Sequence, residues 1–79
     1  MDHEQPTIPP GAIPTMPPGL IPAEVDLVGV DGNAYSVLGV VSRGLRDAGN
    51  SEEIVGAWVT EATGGDYGWL LAAAIQAVR

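Results

Sequence analysis

At 79 residues the chain is about half the roughly 150 residues usual for one domain, so one small domain is the upper bound and a multidomain enzyme is excluded. Ten acidic residues stand against three arginines, giving a net charge of -7 and a pI near 4.1. That balance excludes the clustered positive charge a nucleic-acid backbone requires, and the absence of cysteine excludes disulfides, thiolate metal sites and thiol catalysis.

In chain order, the first feature is proline. All seven prolines fall between Pro6 and Pro22, and every arginine comes after residue 42. This divides the chain into a proline-rich arm, residues 1 to 24, and a second part, residues 25 to 79. The arm holds an eight-residue tandem repeat, Ile8-Pro9-Pro10-Gly11-Ala12-Ile13-Pro14-Thr15 followed by Met16-Pro17-Pro18-Gly19-Leu20-Ile21-Pro22-Ala23, identical at five of eight positions. Proline lacks an amide donor and pushes the preceding residue out of the helical region, which predicts an extended arm. Ile8, Ile13, Met16, Leu20 and Ile21 give it more apolar content than an idle linker carries, so it is expected to dock. Pro6 to Pro9 and Pro14 to Pro17 each match P-x-x-P, without the adjacent basic residue that sets direction in SH3 or WW ligands.

No basic residue precedes the apolar positions of the arm, and prolines interrupt each run, so it does not read as a signal peptide. The longest apolar run, Trp69 to Ile75, is seven residues against the roughly 20 of a bilayer-spanning helix, and no membrane association is expected.

Val25 to Val30 suits a short strand or an extended lead-in. Asp31-Gly32-Asn33 supplies turn chemistry and a helix cap. Ala34, Val37, Leu38, Val41, Leu45 and Ala48 then recur at helical spacing and predict a helix over 33–48, ended by a left-handed Gly49. Asn50 reads as the cap of a second helix, with Glu53 completing a relative of the capping box and Ile54, Val55, Trp58, Val59 and Ala62 as its buried stripe. Gly64 and Gly65 close it, and Asp66 caps a third helix over 67–78. The expected class is mainly α, a small three-helix domain with an extended lead-in and a proline-rich arm.

The third helix is apolar nearly all round. Tyr67, Leu70, Leu71, Ala74, Ile75 and Val78 mark one face; Trp69, Ala72, Ala73 and Ala77 mark the other, with Gln76 the one strongly polar side chain before Arg79. Such a helix needs cover on more than one side, and a fold of about 55 residues is marginal alone. The expectation is a homo-oligomer whose interface draws on Ile8, Ile13, Met16, Leu20 and Ile21 of the arm and on Trp69, Ala73, Gln76 and Ala77 of the third helix.

Catalytic chemistry finds little footing. The single histidine, His3, lies in the arm with nothing to tune or aim it, lysine is absent, and Ser36, Ser42 and Ser51 have no nearby His or Lys base. Glu52-Glu53 are explained by the dipole of a helix start. Counting from Asp31, the twelfth position of a calcium loop is Ser42 rather than a glutamate, so no metal or other cofactor is expected. Two glycine turns lead into helices, Asp31-Gly32-Asn33 and Gly64-Gly65-Asp66-Tyr67. Exposed amides there would hold a phosphate or carboxylate, with Tyr67 stacking on a base and Arg43 and Arg46, brought in by a neighbouring copy, supplying positive charge. Otherwise those arginines are solvated or pair with Asp47, Glu52 or Glu53.

The segments Asp31-Gly32-Asn33-Ala34-Tyr35 through Leu38-Gly39, Leu45-Arg46-Asp47-Ala48-Gly49, Glu61-Ala62-Thr63-Gly64-Gly65-Asp66-Tyr67 and Leu70-Leu71 resemble a family of small uncharacterised proteins of actinobacterial phages, prophages and their hosts. The resemblance spans residues 25–79 and implies no activity, cofactor or site residue. Members of that type carry Asp and His after Gly-Asp-Tyr, where this chain has Gly68 and Trp69.

The reading that results is a non-enzymatic phage-type protein working by self-assembly and by contact with virion or host proteins, in the host cytoplasm or the virion. The alternative is an oligomeric protein that sequesters a small anionic ligand such as a nucleotide immune signal.

Overall fold

The computed structural model describes residues 12–79, so His3, Ile8 and the P-x-x-P match at Pro6 to Pro9 lie outside the described residues. Three helices, α1 (Ala34–Asp47), α2 (Glu52–Ala62) and α3 (Tyr67–Ala77), pack each against the other two. The mainly α class therefore holds, and the described residues contain no strand.

Each helix starts on a short polar side chain. Asn33 Oδ1 accepts from Tyr35 N at 2.8 Å, Ser51 Oγ from Ile54 N at 3.2 Å, and Asp66 Oδ1 from Trp69 N at 2.9 Å. The second cap corrects the sequence reading, since Asn50 is not the cap. With Ser51 in that role, the capping-box position three residues on is Ile54, and Glu53 is left with only the dipole contribution. Helix α1 ends in a Schellman arrangement: Gly49, at φ +104°, donates to Arg46 O at 3.0 Å and Asn50 N donates to Leu45 O at 3.1 Å.

The core is one cluster built from Val37, Val41 and Leu45 of α1, Val55, Trp58 and Ala62 of α2, and Leu70, Ala73, Ala74 and Ala77 of α3, together with Ala23 of the arm. Trp58 is its largest wholly buried side chain, and its indole N–H donates to Ala73 O at 3.1 Å, so a buried donor meets a carbonyl already inside the bundle.

The lead-in is extended rather than a strand. Leu27-Val28-Gly29-Val30 forms a turn with Gly29 at φ +96° and Val30 N donating to Leu27 O at 3.2 Å. Pro17-Pro18-Gly19-Leu20 forms the same kind of turn, with Gly19 at φ +81° and Leu20 N donating to Pro17 O at 3.2 Å. A left-handed third residue is what makes glycine necessary at both places.

The end of α3 also differs from expectation. Val78 leaves the helix (φ -111°, ψ 159°) and forms a parallel bridge with Ala23: Ala23 N donates to Ala77 O and Arg79 N donates to Ala23 O, both at 2.8 Å. The arm thus covers the last turn of α3. Ala73 and Ala77, expected at an interface between copies, have no exposed surface within the single chain. The near all-round apolar character of α3 answers to cover on two sides by its own polypeptide, from α1 and α2 and from the arm.

Candidate functional site

The described part of the arm, residues 12 to 24, together with Val25, is a strap fastened at successive points. Pro14 is fully buried, and the next residue, Thr15, donates its N–H to Glu61 Oε2 at 2.9 Å near the C-terminal end of α2. The strap then runs past Ile54 near the start of α2, where Gly19 lies close to the Ile54 side chain. At Ile21 it meets Asn50. Ile21 N donates to Asn50 Oδ1 at 2.7 Å, and Asn50 Nδ2 donates to Ile21 O at 2.8 Å and to Leu45 O at 2.8 Å. A side-chain amide here takes the place of a neighbouring strand, which an isolated proline-rich segment lacks. The strap finally crosses α1 at Gly44, where an added Cβ would fall 2.4 Å from Val25 Cγ2 and 3.1 Å from Ala23 Cβ.

The tandem repeat has a structural meaning. Thr15 and Ala23 occupy its eighth position in the two copies, and each donates its N–H to the helical body. Ile13 and Ile21 occupy its sixth position and remain 66% and 45% exposed, the tip of Ile21 lying beside Gly49. Met16 and Leu20 turn inward and pack against the core. Of the expected interface positions, then, Ile13 and Ile21 are surface; Met16 and Leu20 are part of the fold; Ala73 and Ala77 are buried. Trp69 is partly buried, its indole N–H donating to Glu61 O at 2.7 Å, and Gln76 is exposed beside Ile75, which is 65% exposed.

The two glycine turns are brought together. Tyr67 donates its hydroxyl to Gly32 O, which joins the starts of α1 and α3, and an open groove of about 270 Å³ lies between them, lined by Tyr35, Leu38, Ala62, Thr63, Tyr67 and Leu70 among others. Several of the amides at these turns already have partners: Asn33 Oδ1 accepts from Tyr35 N, Asp66 Oδ1 from Trp69 N, and Asp31 Oδ1 from Asn33 N at 3.3 Å. Asp31 and Asp66 add negative charge at the same end. Gly64 N is held by Glu61 O at 3.1 Å, and Gly65 lines the groove.

Arg43 and Arg46 lie elsewhere. They sit in the second half of α1, nine and twelve residues beyond Ala34, about 13 Å or more along the axis at 1.5 Å per residue. Arg46 Nε pairs with the Glu52 carboxylate at 2.9 and 3.1 Å, both side chains largely exposed, an ion pair of about 1 kcal/mol at most. Arg43 lines a separate shallow groove with Glu24, Val40 and Asp47. Within one chain the arginines and the glycine turns form no common pocket. Among the described residues no three potential metal-ligating side chains cluster, and no helix is long and apolar enough to cross a membrane.

Sequence reasoning missed the residues that organise the strap: Asn50, read as a cap; Gly44, whose missing side chain gives the strap its passage; and Glu61, which holds Thr15. Compared with protein-family models, with curated proteins and with solved structures, the chain finds no significant match in any of the three.

Proposed function

We propose that this protein is a non-enzymatic, phage-type structural or accessory component that works by self-assembly and by contact with other proteins, in the host cytoplasm or the virion. The observation that supports it is the strap. Its backbone is tied to the body at Thr15, Ile21 and Ala23, while Ile13 and Ile21 keep exposed apolar surface at equivalent places in the repeat. Two large, partly exposed apolar side chains on a fastened backbone offer a contact surface at little cost in ordering, because the segment is already ordered by its own chain. The resemblance of residues 25–79 to small actinobacterial phage proteins supports the phage-type assignment.

Sedimentation of the full chain over a range of concentrations, beside the Ile13→Ser, Ile21→Ser double variant, tests this reading. Reversible association that the double variant weakens is the expected result. A monomer at every concentration, or association indifferent to both substitutions, overturns it.

A further inference from the structure

We propose that the groove between Tyr35 and Tyr67 receives an arginine side chain of a basic protein partner, set beside an apolar residue of the same partner segment. The site is built from residues other than Ile13 and Ile21, so its failure would leave self-assembly untouched. The groove lies at the end of the bundle where α1 begins, α2 ends and α3 begins. Leu38, Ala62 and Leu70 give it an apolar lining, and the two tyrosines stand at its rim. Tyr67 is fixed by its hydroxyl on Gly32 O, whereas Tyr35 is 84% exposed.

Charge selects the occupant. Asp66 is part of the lining, Asp31 directly precedes the Gly32 that holds Tyr67, and Glu61 directly precedes Ala62 in the wall. Among the described residues the lining holds no basic side chain. The first-turn amides of Tyr35 and Trp69, which would otherwise turn positive dipole ends outward, are bonded to Asn33 and Asp66. An anion is repelled here and a cation is drawn in, the opposite sign to the ligand that the glycine turns suggest on their own. A second copy is a poor source of that cation. Each chain carries a net charge of -7, Arg46 pairs with its own Glu52, Arg79 Nη1 lies 3.5 Å from its own Glu24, and Arg43 shares a groove with Glu24 and Asp47.

Among cationic side chains the guanidinium suits this lining. It is planar and weakly hydrated, and it stacks on an aromatic face while its edge donates to a carboxylate. A strongly hydrated ammonium gains less beside Leu38 and Leu70. The apolar floor offers nothing to a charge and takes the neighbouring apolar side chain, so opposite charge sets the orientation and apolar burial holds it.

Titration of the isotope-labelled full chain with the capped peptide glycine-leucine-arginine-leucine-glycine, followed by amide NMR, tests the proposal. Saturable shifts at Tyr35, Leu38, Tyr67 and Leu70 are expected at millimolar peptide. Replacing the peptide's arginine by glutamine is expected to weaken binding about tenfold. Tyr35→Ala, at an exposed position, is expected to weaken it about two- to fivefold. Asp66→Asn, which keeps a good helix cap, is expected to weaken it by about the same factor. The absence of saturable shifts at these residues would overturn the proposal, as would equal affinity for the glutamine peptide. Shifts of the same residues on concentrating the chain without peptide would also overturn it and make a second copy the occupant.

Discussion

The side chain of Asn50 hydrogen-bonds both the N–H and the C=O of Ile21, at 2.7 and 2.8 Å, from a residue that also closes the end of α1 through its own backbone N–H on Leu45 O. One buried residue thus terminates a helix and fastens the strap, coupling a local signal to a contact 29 positions away.

Replacing that residue separates the two roles. Asn50→Ala keeps the backbone hydrogen bond but strips partners from Ile21 N, Ile21 O and Leu45 O, and about 2–4 kcal/mol of unfolding free energy is expected to be lost. Ser51→Ala removes only the cap of α2 and is expected to cost about 1 kcal/mol. Urea denaturation of both variants measures the difference; equal losses would return Asn50 to an ordinary capping role.

Glycines inside helices give a paired comparison. Gly39 and Gly56 are exposed with open space where a Cβ would go, so alanine at either is expected to stabilise by about 0.5–1 kcal/mol through helix propensity and the unfolded chain. Gly44→Ala gains the same propensity but drives its methyl into Val25 and Ala23, an overpacking cost of about 1–3 kcal/mol. A net loss is expected at Gly44, partly relieved by adding Val25→Ala. Thermal unfolding reads all of these, and a stabilising Gly44→Ala would show that the strap does not press on α1.

The tryptophans differ in the same way. Trp58→Phe leaves a cavity in the centre of the core and deletes the bond to Ala73 O, for an expected loss of about 2 kcal/mol. Trp69→Phe, at a partly buried position, is expected to cost about 1 kcal/mol by losing its bond to Glu61 O. Equilibrium unfolding monitored by circular dichroism compares them without relying on tryptophan emission.

Much of the helical body was legible because its signals are local. The i, i+3, i+4 spacing of Val37, Leu38, Val41 and Leu45, the caps at Asn33 and Asp66 and the glycine at 49 each act within a turn or two of chain. Asn50 and Ser51 are adjacent and both are good caps, so propensity could not choose between them; the distant backbone of Ile21 decides. The strap was legible as extended but its destination was not, since an extended segment carries no period that names its partner. The apolar back of α3 reads as needing cover from another copy, whereas Ala73 and Ala77 are buried within the single chain, and the cover at Ala77 comes from Ala23, a small residue with little hydrophobic signal of its own. The glycine turns were rightly placed at helix starts, and Arg43 and Arg46 could not be set near them because spacing along α1 carries them to its far half.

Amide hydrogen exchange at Thr15, Ile21 and Ala23 of the full chain tests most directly whether the strap is a fixed wall of the fold. Protection of Ile21 and Ala23 close to that of Val41 and Trp58, with Thr15 somewhat less protected at its exposed carboxylate partner, is expected. Exchange of all three at the rate of a free peptide while the helices stay protected would contradict the account.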